Sequence, residues 1–424
     1  MIYTSDIVLP ITQNPIRKGA VLVENGLIAA VGERESLLQA HPDEKIKDFG
    51  CSILMPGLVN LHGHLECSLF EGLAQPTQFI SWLEGIIQAG RRLDQAGWVE
   101  AARLGVRKYF EAGITCTADI TRSGAGVLAM AEVKMPGIVY MEAVAIDNSN
   151  LADAVVDILG QLKSAEMMVQ TDTFAIGLSP HSPYTLSEPA LKACIEIAST
   201  GNLPVTTHLA ETQAECELLQ NGSGELAVLM GKRLKIDAIE RGGYDTTPAR
   251  YLDRLGVLQP GLIAAHGVWL TAEDLGLLKE KGVCIAACPT SNELLGTGKA
   301  SISQFFEQGL EFGIGTDSAA SNPQLDLFDE ARKMYRLYKE QTGGDERLTA
   351  QHIIHKLTIN AAQALGLADK LGSIEPGKRA DFIGVDCAGA VNAGNDVYAF
   401  ILEHTSKAQV NNTVLGGNLV YTRS

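Results

Sequence analysis

The chain has 424 residues, 46% of them hydrophobic and 20% charged, with 34 basic against 50 acidic side chains and a formal charge of −16. That length supports a large core and more than one domain. An acidic balance with no lysine and arginine block argues against nucleic acid or an anionic membrane surface as a partner.

No apolar run approaches a membrane span, and residues 1–6 lack the basic start of a secretion signal, so a cytoplasmic location is expected. The 8 cysteines show no C-x-x-C spacing and read as reduced thiols, mainly in the core. Residues 1 to about 55 read as short strands at 7–10, 19–23 and 27–32, with Asn25-Gly26 as a hairpin turn between the last two. So small a β unit cannot close a core alone. The runs 380–385, 410–415 and 418–421 at the other end, with Gly416-Gly417 between the last two, offer the complement. The two ends are therefore expected to pair into one small β-sandwich domain.

Between them, apolar strand-like runs alternate with helical stretches, the pattern of a parallel sheet. The runs fall near 58–62, 114–120, 138–146, 174–179, 203–208, 262–266, 283–287 and 312–316, with helices such as 98–112, 188–199 and 271–281 in the gaps. Eight strands predict a closed (β/α)8 TIM barrel. The expected fold is α/β in three segments: an N-terminal stretch of the β-sandwich at 1–55, the barrel at 56–370, and a C-terminal stretch that completes the β-sandwich at 371–424.

Met55-Pro56-Gly57 is turn chemistry, and the strand it opens ends in His62-Gly63-His64. Residues two apart on a strand face the same way, so both imidazoles can reach one metal ion. Alone, such a pair is as readily a packing feature. Reactive groups of a barrel, however, stand at the C-terminal ends of its strands. His181, His208 and His266 also follow apolar runs, as do Glu211 and Asp317, whereas His352 and His355 fall on a late helix as surface or packing residues. A shared metal site accounts for that placement.

With those residues in view, the chain resembles the amidohydrolase superfamily, in its branch of nucleoside and heterocycle deaminases with one metal. The matching pieces are PGLVNLHGH (56–64), SPHSPYT (179–185), THLAET (207–212), AAHGV (264–268), CPTSN (288–292), GIGTDSAASN (313–322) and GSIEPGKRADF (372–382), in the family's order over nearly the whole chain. The resemblance implies one divalent metal, zinc ahead of ferrous iron, bound by His62, His64, His208 and Asp317. It also implies Glu211 and His266 around the reactive water, and His181 against the heterocycle.

The residue chemistry agrees with that assignment. Three neutral imidazoles and a carboxylate form a mixed nitrogen and oxygen site suited to zinc or iron, at which a water becomes acidic near neutrality. Asp317 can bind with one oxygen and accept the water's proton with the other, while Glu211 passes a proton to a ring nitrogen and then to the leaving amine. Two-metal members of the superfamily place a bridging lysine on the fourth strand, and residues 174–179 contain none. One metal and ring deamination are therefore favoured over ring-amide hydrolysis. A guanine-type aminohydrolase or a chlorohydrolase competes, and a non-catalytic scaffold would be marked by lost ligands, which are all present.

The substrate expected is a small molecule, and a homo-oligomeric state is left open. Around Trp82-Leu83 the chain resembles deaminases of S-adenosylhomocysteine and methylthioadenosine, but those place a ribose-binding glutamate where Arg91 stands here, followed by Arg92. A guanidinium can pair bidentately with a carboxylate and cannot accept from sugar hydroxyls. HLECS (64–68), residues 79–82 and TPARYLDRLGVL (247–258) look more like aminodeoxyfutalosine deaminases of menaquinone biosynthesis, whose adenine nucleoside carries a benzoate. Arg91 and Arg92 are accordingly expected as substrate contacts together with Trp82 and His181, against the alternative of a solvated helix face.

Overall fold

Parallel strands alternate with helices through the middle of the chain in a computed structural model that describes residues 1–73, 75, 78–168, 173–234, 237–387 and 396–423. The strands are β1 (Leu58–Gly63), β2 (Ile114–Thr121), β3 (Gly137–Ala143), β4 (Phe174–Pro180), β5 (Thr206–Leu209), β6 (Ile263–His266), β7 (Cys284–Ala287) and β8 (Phe312–Ile314). Each lies within a few residues of its expected position. The helices do too: Gln95–Glu111, Glu188–Gly201 and Ala272–Glu280 fill the anticipated gaps. Asp94 caps the first by accepting from Gly97 N, and a Thr271/Asp274 capping box starts the third.

Strands β1 to β4 form one four-stranded parallel sheet and β5 to β8 another. Their edges meet through parallel bridges, Leu178 to Val205 on one side and Gly63 to Asp317 on the other. Backbone bonds reinforce both seams, Leu178 N to Pro204 O at 2.9 Å and Asp317 N to His62 O at 3.0 Å. Asn60 adds a side-chain tie across the second seam, accepting from Thr316 N and donating to Thr316 Oγ1, each at 2.9 Å. The buried cluster of Val59, Leu61, Cys116, Ala118, Tyr140, Ile263 and Ala286 draws on strands from both sheets.

Both chain ends do pair. The hydrogen bonding joins Ile2–Val8, Ile16–Glu24, Leu27–Glu33, Ile46–Asp48 and Ser52–Pro56 with Phe382–Asp386, Val410–Leu415 and Asn418–Thr422 in one eight-stranded sheet. The reason is that Ile2–Val8 pairs with Ile16–Glu24 along one edge and with Ile46–Asp48 and Ser52–Pro56 along the other, leaving no break. Asn25 (φ 52°) and Gly26 (φ 80°) make the expected hairpin turn.

The Met55-Pro56-Gly57 turn is not formed as anticipated. Met55 and Pro56 complete a strand paired with Ile383 and Phe382, and Gly57 alone separates it from β1. A Cβ at Gly57 would lie 2.0 Å from Thr115 Oγ1, so only glycine lets the chain pass so close to β2. Among the described residues no helix is long and apolar enough to cross a membrane.

Candidate metal centre

The C-terminal ends of β1, β5 and β6 and the segment after β8 bring His62, His64, His208, His266 and Asp317 together. Two overlapping groups have ligand atoms within 4.8 Å of one another: His62, His208 and His266, and His62, His64 and Asp317. Asp317 Oδ1 stands 3.6 Å from Nε2 of both His62 and His64. The His62 and His208 rings are 4.9 Å apart, and those of His208 and His266 are 5.6 Å apart. Backbone strain accompanies the arrangement. His266 (φ 73°) and Asp317 (φ 58°) both turn through the left-handed region directly at the site.

Hydrogen bonds fix which nitrogens are free. His208 Nδ1 donates to His181 O at 2.9 Å and His266 Nδ1 donates to Asn292 Oδ1 at 3.0 Å, so the proton assigned to each ring leaves Nε2 with a lone pair. His62 is 1% exposed, and neither of its ring nitrogens has a hydrogen-bond partner. A buried imidazole with two unmatched nitrogens is costly unless something else occupies one of them. Burial also holds the rings neutral: it pushes His64 down to about 3 and lowers His62 and His208. Burial opposes ionisation of Asp317, but the adjacent His62, followed by His266 and His64, holds its carboxyl well below the usual range. A neutral set of nitrogen donors beside a firm carboxylate fits a divalent metal.

Asp317 is gripped from behind. Its Oδ2 accepts from Ser291 Oγ and Ser321 Oγ, each at 2.6 Å, so Oδ1 alone faces the histidines. Glu330 ties the two segments carrying those serines, accepting from Asn322 Nδ2 and Thr290 N, each at 3.0 Å. Glu211 Oε1 lies 3.7 Å from His266 Nε2, and burial raises its carboxyl to about 7 while His266 pulls it down. Glu215 in turn accepts from Ala210 N and Glu211 N at 2.9 and 3.0 Å, which fixes the backbone carrying Glu211.

His181 belongs to the cluster and not to a remote loop: its ring is 4.6 Å from that of His208, and burial followed by the nearby Arg122 pushes it down to about 3. Ser182 and Thr185 hydroxyls hold its Nδ1 at 2.9 and 3.1 Å. Trp82 Nε1 donates to Ala320 O at 2.8 Å, joining the helix Phe79–Gly90 to the loop after Asp317. Arg91 and Arg92 are different. Both are exposed just past that helix's C-terminal end, and no bond among the described residues ties either to the cluster. His352 caps its own helix with Thr349, as a packing residue should.

The amidohydrolase family model matches residues 53–420, most of the chain. The chain belongs to the amidohydrolase family. A short composite-domain model of the bacterial imidazolonepropionase-like type also matches residues 19–43. This amidohydrolase is 32% identical over 370 residues to a 5-methylthioadenosine/S-adenosylhomocysteine deaminase of Pyrococcus furiosus, covering 86% of this chain and 81% of the relative. The fold is similar to that of a zinc-bound adenosine deaminase from Xanthomonas campestris, with TM-score 0.85, 24% identity, and coverage of 99% of this chain and 92% of the other. It is also similar to that of Helicobacter pylori aminofutalosine deaminase in complex with methylthio-coformycin, with TM-score 0.81, 21% identity, and coverage of 99% and 100%.

Several residues within the sequence motifs take on roles that only the folded chain displays. Ser291 and Asn292 lie in CPTSN, and Ser321 and Asn322 in GIGTDSAASN. Glu215 had a readable signal, since Thr212-x-x-Glu215 is a capping-box pattern. Thr212 does accept from Glu215 N, but the glutamate reaches further back, to Ala210 and Glu211. Arg122 follows β2 directly, the position where a barrel puts functional groups. Glu66 fixes that loop by accepting from Arg122 N at 2.9 Å and Ser123 N at 3.2 Å.

Proposed function

We propose that the chain is a metal-dependent deaminase that hydrolyses the 6-amino group of an adenine nucleoside and releases ammonia. The observation that carries this reading is the convergence of neutral histidines and Asp317 on one point with Glu211 beside it. The adenine-nucleoside substrates named for its relatives support the choice of substrate class. The eight parallel strands are inferred to close into a (β/α)8 barrel over residues 56–370, with 1–55 and 371–424 forming the accompanying β domain.

His62, His64, His208 and Asp317 would hold one divalent ion, zinc ahead of iron. When bound, it would supply a Lewis acid that makes water acidic near neutrality. Glu211, with its carboxyl poised near 7, carries a proton to the purine ring nitrogen and then to the departing amine. His266, kept with a free Nε2 by Asn292, faces Glu211 and orients the attacking water. Oδ2 of Asp317 already accepts two hydroxyl bonds, which favours Asp317 as a fixed anionic ligand and Glu211 as the main proton carrier. His181 offers a hydrogen bond to the heterocycle.

Aminodeoxyfutalosine, a nucleoside with a carboxylate, is the finer substrate reading. It rests on the sequence segments near 64–68 and 247–258, and on Arg122, which is exposed like Arg91 and Arg92 but directly follows β2 and lies near enough for its charge to bear on His181. Similarity to the Pyrococcus relative favours methylthioadenosine and S-adenosylhomocysteine instead. Comparing kcat/KM for all three nucleosides and adenosine, in the unmodified chain and in Arg122→Ala and Arg91→Ala/Arg92→Ala, decides between them. A carboxylate-bearing substrate should be preferred, with the preference reduced by Arg122→Ala alone. Equal discrimination in every variant would remove the carboxylate reading.

A further inference from the structure

Far from the metal centre, the two chain ends meet at a pair of thiols. Ser52–Pro56 runs antiparallel to Phe382–Asp386, with Asp386 opposite Ser52, and the register continues one step further to Cys387 opposite Cys51. Cys387 N donates to Cys51 O at 3.2 Å, so the two residues face each other across the ladder. Their sulfurs are 3.6 Å apart, although 336 residues separate them in sequence. Residues paired across an antiparallel ladder have Cα atoms about 4.5–5.5 Å apart, within the span a disulfide bridges. Access is asymmetric: Cys51 is exposed and Cys387 is buried. No other sulfur–sulfur contact occurs among the described residues' hydrogen bonds; of the remaining cysteines, Cys116, Cys194, Cys284 and Cys288 are buried and Cys67 and Cys216 are partly buried.

We propose that Cys51 and Cys387 form a redox modification site, in which a small-molecule disulfide oxidant converts the two thiols to a cross-strand disulfide that fastens the N-terminal and C-terminal halves of the terminal sheet. In the first step Cys51, as thiolate, attacks a sulfur of the oxidant. The oxidant's S–S bond breaks, a Cys51 mixed disulfide forms and one small thiol leaves. In the second, Cys387 loses its proton to water and attacks Cys51 Sγ. The mixed S–S bond breaks, the protein disulfide forms and the second small thiol leaves. Two protein thiols are oxidised and one oxidant disulfide is reduced to two thiols, so electrons and protons balance. The exposed member takes the oxidant and the buried member resolves it. Burial, the neighbouring Cys51, and the Asp6 and Asp386 carboxylates push the Cys387 thiol up to about 12, which makes resolution the slow step.

The bond would cross-link residues just ahead of Ser52–Pro56, the strand that leads through Gly57 into β1 and its two histidines. Because a long segment is closed, the unfolded chain is constrained and the folded chain gains thermal stability. The site stands independently of the deaminase reading, since it rests only on the terminal sheet.

The test treats the metal-loaded protein with oxidised glutathione under native conditions, followed by non-reducing peptide mapping and thermal melting. The expected result is a cross-linked peptide pair containing Cys51 and Cys387, with Tm raised by about a few degrees and restored by dithiothreitol. Cys387→Ala should stop at a stable glutathione adduct on Cys51, and Cys51→Ser should react at neither position. A persistent Cys51 adduct in the unmodified chain with no cross-link, or oxidation confined to other cysteines, overturns the proposal.

Discussion

Removing the hydroxyls behind Asp317 should weaken metal binding without touching a ligand. Ser291 and Ser321 both donate to Oδ2 at 2.6 Å, and Asp317 itself is only 4% exposed. A hydrogen bond to a charged group contributes about 1.5–3 kcal/mol, and groups that orient a metal ligand commonly change affinity by about 10–100-fold. Ser291→Ala or Ser321→Ala alone leaves one donor on Oδ2, so each should cost about tenfold in affinity. The double variant leaves a buried carboxylate oxygen with no donor and frees the side chain to rotate, so its loss should exceed the sum of the two single losses in free energy. The assay is competition for zinc with chelators of graded strength, with a thermal melt to confirm that each variant is folded. Unchanged zinc retention in the folded double variant would refute the role given to these serines.

Other consequences follow from the same geometry. Glu211→Gln should retain the metal and lose about 10²–10⁴-fold in kcat, whereas His208→Ala should lose metal and activity together; elemental analysis beside a turnover assay separates the two. Glu330 is 1% exposed and burial raises its carboxyl from 4.5 to about 7, so between those values the folded chain keeps a proton that the unfolded chain has lost. That contribution to stability is present below about 4.5 and lost as pH rises through about 7, by up to about 3 kcal/mol, and Glu330→Gln should flatten this region of the slope in urea unfolding. Gly137 combines φ 147° with a Cβ position only 2.0 Å from Thr117 O, so Gly137→Ala should lower the urea midpoint by displacing β3 from β2. An unchanged midpoint would show that the two strands can separate freely there.

Much of this molecule is legible in its sequence because apolar periodicity and strand-end chemistry are local signals. The runs carrying His62, His208 and His266 lie within a few residues of their expected places, since each is apolar and ends abruptly in a polar group. Pro56 misled because proline and glycine signal a turn. Pro56 instead tolerates a strand position, and the turn shrinks to the one residue that Thr115 leaves room for. Arg91 occupies the position where the sulfur-nucleoside deaminases carry a ribose-binding glutamate, and the helix Phe79–Gly90 ends before it and Arg92, leaving both exposed; their contact with substrate is what the arginine variants test. The grip of Ser291 and Ser321 on Asp317, and the tie that Glu330 makes between their segments, was not readable at all, because it depends on the segments after β7 and β8 meeting in space, and no spacing rule encodes that contact. Pairing of the two chain ends was foreseen from composition, whereas their union in a single sheet depends on Ile2–Val8 bonding along both edges.

Ammonia release from an adenine nucleoside, measured on the zinc-loaded chain before and after chelation, tests the proposed chemistry most directly. The expected result is one ammonia per hypoxanthine nucleoside formed, with activity tracking about one metal equivalent per chain, lost on chelation and restored by zinc. Full metal loading with no turnover of adenosine, methylthioadenosine, S-adenosylhomocysteine or aminodeoxyfutalosine, or activity undiminished in the metal-free chain, would contradict it.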